Sequence, residues 1–256
     1  QARRSRVRDS RAPGKGARMM DRIACLAAFA LLAVSALGCA ALHHSPADDF
    51  PLQPGDLLFQ DIDCGPLCDA IETVTQGVDG AHFSHLGMVS RIEGRRVWII
   101  EAVSAGVVET PLRTFLRRSA DAGGNPKVLV GRLDAKTSAL LPGAIAAARA
   151  CLGRPYDRIY TIDTSTLYCS ELIYEAFREA NSGQAVFDLA PMTFKDPATG
   201  ETFPAWSDYY AELKTPIPEG QPGLNPGGIS RSPHVRIVHA YGAPEGWHGH
   251  VEEVRQ

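Results

Sequence analysis

The chain has 256 residues, 45% of them apolar and 21% charged, with a formal net charge of −3. That suits one globular domain with its own core plus extra segments at the ends, and no internal repeat or second domain is apparent. The first 38 residues hold eight basic and two acidic side chains, so of the chain's 26 Lys and Arg and 29 Asp and Glu the remainder keeps 18 and 27; an acidic domain lacks the electrostatic footprint for DNA or RNA, and nucleic acid is excluded as a partner.

Residues 1–38 read as a basic leader and an export signal. Arg3, Arg4, Arg6, Arg8, Arg11, Lys15 and Arg18 precede Met19, and an apolar run from Ile23 to Leu37 ends at Gly38-Cys39. A short positive region, an apolar stretch and small residues at a cut site describe a secretory signal. Ala36-Leu37-Gly38-Cys39 resembles a bacterial lipoprotein box, which implies a lipid on Cys39, residues 39–50 as a tether, and a cell-envelope location on a membrane anchor. Two other readings stay open: cleavage after Ala40 releasing a secreted protein, or retention of the run as one membrane helix extended to Leu42.

Pro54-Gly55-Asp56 makes a turn into a strand at 57–60, and a helix over 66–76 follows, with Leu67, Ile71 and Val74 on one side. Cys64 and Cys68 flank Gly-Pro-Leu at its start, where either a local disulfide or two free thiols fit. No further ligands stand at zinc spacing, so no metal is expected. Residues 85–91 and 95–103 form two apolar strands of a hairpin. A three-residue loop, Ile92-Glu93-Gly94, opposes Arg91 to Arg95 and places His85 directly across from Glu101. Next come a strand at 107–109, a short basic helix over 111–118, a strand at 127–133 and an alanine-rich helix over 142–152. Cys151 at the end of that helix reads as a small buried filler. A helix over 170–180 follows Cys169 and buries Leu172, Ile173, Ala176 and Phe177. Residues 181–234 are rich in Pro and Gly with little periodicity, residues 235–240 form a last strand, and 243–256 are a polar tail.

Cys169 opens an apolar helix, where the dipole favours a thiolate and free backbone N–H groups can hold an oxyanion. A histidine base would complete the minimum kit for a thiol nucleophile. His85 and His82 both qualify on chemistry alone. Glu101 lies in the otherwise apolar run Val97 to Val103, where a buried carboxylate needs a partner, and an imidazole would serve. His43, His44, His234, His239, His248 and His250 take no role.

Leu152-Gly153-Arg154-Pro155-Tyr156 followed by Tyr168-Cys169-Ser170 resembles the nucleophile region of NlpC-type cell-wall endopeptidases, members of the papain-like superfamily. Pro54 to Phe59 and Ser84-His85-Leu86-Gly87-Met88-Val89 resemble their histidine region. The cysteine block here comes second, so the chain is similar to the circularly permuted branch, the YiiX/YebB-like cysteine hydrolases, over residues 51–242. The resemblance implies an α+β fold, a curved antiparallel sheet packed against helices with the nucleophile at a helix N-terminus. It also implies Cys169 as nucleophile, His85 as base and Glu101 as orienting group, with Tyr168, Tyr156 and Ser84 lining the substrate site. The function it implies is hydrolysis of an amide, in a peptidoglycan stem peptide or an N-acyl amino acid, with no cofactor. Lecithin-retinol acyltransferase shares the permuted order, so acyl transfer is the alternative, which an apolar groove beside Cys169 would favour and a polar cleft would not. A non-catalytic envelope lipoprotein is the third reading, which a His85–Cys169 separation too long for proton transfer would favour.

Overall fold

A computed structural model describes residues 50–163 and 165–251. Cys39, the leader and residues 252–256 lie outside the described residues. In chain order the elements are β1 (Leu57–Gln60), α1 (Pro66–Val74), β2 (His85–Glu93), β3 (Arg96–Val103), β4 (Gly106–Pro111), α2 (Leu112–Arg117), β5 (Val128–Leu133), α3 (Ala135–Ser138), α4 (Leu141–Ala150), α5 (Cys169–Ala180), β6 (Ala190–Pro191), α6 (Pro204–Leu213), β7 (Pro222–Gly223), α7 (Pro226–Ser230) and β8 (Val235–Ala240). Six strands make one antiparallel sheet in the order β4-β3-β2-β1-β5-β8. This is an α+β fold, an antiparallel sheet with helices packed on it.

Both faces of the sheet are covered, which is why its central strands read as nearly continuous apolar runs. One face presents Leu57, Phe59, Leu86, Met88 and Ile100 to α4 and α5. The other presents Leu58, Val89, Ile99 and Val130 to Phe115 and Leu116 of α2. Leu172, Ile173 and Phe177 fasten α5 to the first face with no exposed surface, each contributing about 1.5–3 kcal/mol. The small side chains Ala144, Ala147 and Ala148 let α4 close against α5. This seat holds the start of α5, and hence Cys169, against the sheet.

The β2–β3 hairpin departs from the expected register. Glu93 pairs with Arg96, leaving a two-residue turn, Gly94-Arg95, with Gly94 at φ +60°. Glycine at the first central position is what a type II′ hairpin turn asks for. That turn alone would throw His85 and Glu101 onto opposite faces, because side chains alternate. A bulge at Ser90 corrects the parity: Arg91 pairs with Trp98, while Val89 pairs with Ile99 and Met88 with Ile100. Continued one step, Glu101 falls beside Gly87 and diagonally to His85, on the same face. The expected contact is present, by a diagonal route rather than a directly opposed pair.

Residues 181–234 also differ from their reading. They contain α6 and α7, and a third cluster of Phe194, Trp206 and Tyr210 packs against Ala70 of α1. The buried residues of α6, Trp206 and Tyr210, are aromatic and meet loops as well as a helix, so no clean stripe shows in the sequence. Cys64 and Cys68 form a disulfide, Cα–Cα 5.4 Å, and Cys151 is a buried free thiol. Within the segment read as a tail, residues 245–248 dock on the 78–82 turn: His82 N–H donates to Glu245 O at 2.9 Å and His248 N–H to Asp79 O at 3.1 Å.

Candidate active site

Cys169 is the first residue of α5, preceded by Tyr168 in extended backbone (φ −90°, ψ 173°). The opening N–H groups of a helix have no intrahelical acceptor and face whatever lies beyond the terminus. Glu171 supports this corner. Its buried carboxyl accepts the N–H of Tyr168 at 3.3 Å and of Asp163 at 2.8 Å, tying the preceding loop to the helix. Burial lifts Glu171 to about 8, so at neutral pH it makes this tie without placing a second anion near the thiol.

His85 begins β2 and lies close enough to Cys169 for each to shift the other's proton affinity. Its Nε2 lies 2.7 Å from Glu101 Oε2, which leaves Nδ1 for the sulfur. Burial opposes the imidazolium, but the bonds and charges of Cys169 and Glu101 outweigh it and hold His85 at about 9. Burial likewise pushes the Cys169 thiol up, and His85, with the hydroxyl and N–H of Ser170, brings it below its ordinary value. The two directions agree on a thiolate–imidazolium pair. His82 packs instead beside Gly246.

Glu101 is fully buried. Burial would raise its carboxyl, yet His85 and Arg118 together hold it down at about 2. Arg118, just after α2, donates Nη2 to the same Oε2 at 2.5 Å and to Gln60 Oε1 at 3.3 Å. Gln60 in turn donates to Phe115 O at 2.7 Å and Ser119 Oγ at 3.1 Å. Sequence reasoning saw only a basic helix here and missed both Arg118 and Gln60. The available signal was Glu101 itself: a buried carboxylate beside a histidine leaves acceptor capacity for a second donor.

A cavity of about 180 Å³ opens beside Cys169. Tyr156, Tyr168 and Ser84, the expected lining residues, all border it, as does Tyr160, which the sequence reading did not single out. Apolar walls come from Ile71, Val74, Met192, Phe194, Trp206 and Leu224. Tyr168 OH accepts the N–H of Leu224 at 3.3 Å. Ser84 Oγ accepts the N–H of Ile62 at 2.8 Å and so is partly committed to the fold. Tyr156 is delivered by a pinned segment: Val107 N–H donates to Arg154 O at 2.9 Å and Gly153 N–H to Val107 O at 2.9 Å. Gly106 permits that approach, since it sits at φ +97° and a Cβ there would stand 2.4 Å from Arg154 O.

The chain matches, over residues 51–239, the family described as permuted papain-like amidase enzyme, YaeF/YiiX, C92 family. It is 29% identical to the "Uncharacterized protein YiiX" of Escherichia coli (strain K12) over 136 residues, 53% of this chain and 62% of that one. Its fold is similar to the crystal structure of metalloprotein YiiX from Escherichia coli O157:H7, with a TM-score of 0.59 at 22% identity, covering 76% of this chain and all of that one. The metal is said of that protein. Among the described residues here, no group of three His, Cys, Asp or Glu side chains is placed to hold one. A thiol beside an imidazole at a helix start is the machinery for acyl chemistry, and this chain belongs to the family of permuted papain-like amidases, YaeF/YiiX, C92.

Proposed function

We propose that the protein is an exported amidase that hydrolyses an amide bearing an apolar acyl group, with Cys169 as nucleophile, His85 as acid and base, and Glu101 as the group that orients the imidazole. One observation carries the reading: the Cys169 thiol, beside the hydrogen-bonded His85–Glu101 pair that lowers its proton affinity, lies at the edge of a largely apolar cavity. The thiolate attacks the amide carbonyl, and N–H groups at the start of α5 are available to the resulting oxyanion. Collapse breaks the C–N bond, and the amine departs with the proton from His85 Nδ1. Water then gives a proton to His85 and adds to the thioester, releasing the carboxylic acid and restoring the pair. An apolar wall suits the acyl part of an N-acyl amino acid better than a polar stem peptide. The basic leader, the apolar run and Gly38-Cys39 support export and a lipid anchor on Cys39.

The same cavity favours a second reading, in which a lipid or amine rather than water takes the acyl group. The non-catalytic reading is set aside, because the chain belongs to an amidase family and His85 and Cys169 shift each other toward the charged pair that acyl chemistry needs.

N-octanoylglycine tests both readings. Wild-type protein should release octanoate and glycine, and Cys169→Ala or His85→Ala should lower turnover by about a thousandfold or more while remaining folded. Unchanged turnover in folded Cys169→Ala protein would refute the assignment. Acyl product appearing on an added amine or lysolipid, in place of free acid, would turn it into a transferase.

A further inference from the structure

Tyr160 takes no part in the chemistry above, yet it is held from several sides. Its φ is +62°, a left-handed conformation rare for a bulky residue. Buried Asp157 accepts the N–H of Ile159 at 2.7 Å and of Thr161 at 2.8 Å, folding the chain tightly around it. From the opposite direction α6 clasps the same turn: Tyr209 OH donates to Arg158 O and Tyr210 OH to Ile159 O, both at 2.9 Å. What this delivers is one ring, set edge-on to Tyr168 at 5.6 Å and to Trp206 at 5.7 Å. That ring borders the Cys169 cavity and packs against both the main core and the Phe194–Trp206 cluster. Strain that the surroundings maintain is a reason to look for function in the side chain it presents.

We propose that Tyr160 is a specificity-determining residue: its ring walls off the apolar cavity and so sets how long an acyl group can be seated with its carbonyl at Cys169. The inference rests on the acyl-amide reading and deepens it. A dry cavity of roughly 150 Å³ holds benzene, so about 180 Å³ suits an apolar group of about six to eight carbons. Longer chains meet the tyrosine ring. Removing the ring would enlarge the cavity on the side it closes, beside Phe194 and Trp206, which line the same space.

Two measurements on the same protein separate this inference from the reading beneath it. The first is the rate at which N-alkyl iodoacetamides, from methyl to dodecyl, alkylate Cys169, with the adduct mapped by mass spectrometry. The thiolate displaces iodide, so no turnover is needed. The second is hydrolysis of N-acylglycines from acetyl to palmitoyl. In both series the wild type should peak near hexyl to octyl. Tyr160→Ala should move the peak to longer chains and raise the dodecyl rate by roughly tenfold, while Tyr160→Phe should follow the wild type. Tyr160→Gly, which suits the left-handed backbone, replaces the alanine variant if that fails to fold. An unmoved peak in folded Tyr160→Ala or Tyr160→Gly protein overturns the role of Tyr160 and leaves the amidase standing. A shifted alkylation peak with no hydrolysis of any N-acylglycine overturns the amidase reading and leaves Tyr160 as the wall of the cavity.

Discussion

Glu101 carries two positive partners on one buried oxygen, and that arrangement governs how the site responds to pH. His85 is raised from 6.5 to about 9, so the imidazolium persists well above neutrality. Glu101→Gln removes the anion that supports it. The alkaline limb of kcat/KM should then move below about 9, with the Cys169 thiolate still supporting the charge, and turnover should fall by tenfold for each ~1.4 kcal/mol of lost transition-state stabilisation. A pH–rate profile checks this; an unmoved alkaline limb would show that Glu101 does not support the charge. Arg118 acts on the same carboxylate from the other side. The folded-state value of Glu101 is depressed, so its contribution to stability is present above about 4.5 and disappears as pH falls through about 2. In Arg118→Gln that loss should begin at higher pH, nearer 4.5, which acid-unfolding curves followed by tryptophan fluorescence would register.

The elements decide which of these residues meet. Hairpin periodicity showed two strands and put Glu101 and His85 on one face, but the route was misread, because a bulge at Ser90 and a two-residue turn together preserve the parity that a three-residue loop would have given. A bulge leaves little composition signal, since it needs only one extra residue. The Cys169 helix was legible because its buried stripe, Leu172, Ile173, Ala176 and Phe177, follows helical spacing. Helix α6 was not, since Trp206 and Tyr210 bury against loops and α1 in a Pro-rich region. Arg118 and Tyr160 were hidden for a related reason: each acts across a tertiary contact that no local pattern encodes. The pinned Leu152–Tyr156 segment can be tested directly. Gly106→Val places a side chain in left-handed backbone and 2.4 Å from Arg154 O at its first carbon. It should destabilise by about 1–3 kcal/mol, lower Tm, and raise KM more than it lowers kcat by loosening Tyr156. An unchanged Tm would mean that β4 does not hold this segment.

At the scale of the whole molecule two buried carboxyls titrate in one direction. Glu72 is raised from 4.5 to about 7 and Glu171 from 4.5 to about 8, both by burial foremost; the raised His85 is matched by the lowered Cys169, so that pair leaves the proton count nearly unchanged. In each window the folded protein keeps a proton that the unfolded chain has released, so stability falls as pH rises. Thermal unfolding should therefore show Tm declining between about pH 5 and pH 8, and Glu171→Gln should remove much of that decline. A Tm that climbs across this range would contradict the assignment of these acids as buried and neutral. The family match and the sheet place the chain among the permuted papain-like amidases; the specific claim is that Cys169, activated by His85, forms the acyl-enzyme. Cys151 supplies an internal control, being a buried thiol that burial pushes up. The most direct measurement is to quench the protein during turnover of an N-octanoyl amide at neutral pH and map the octanoyl thioester by mass spectrometry. The adduct should sit on Cys169 and disappear in His85→Ala. An octanoyl group on Cys151, or one on Cys169 that forms equally well without His85, would contradict the account.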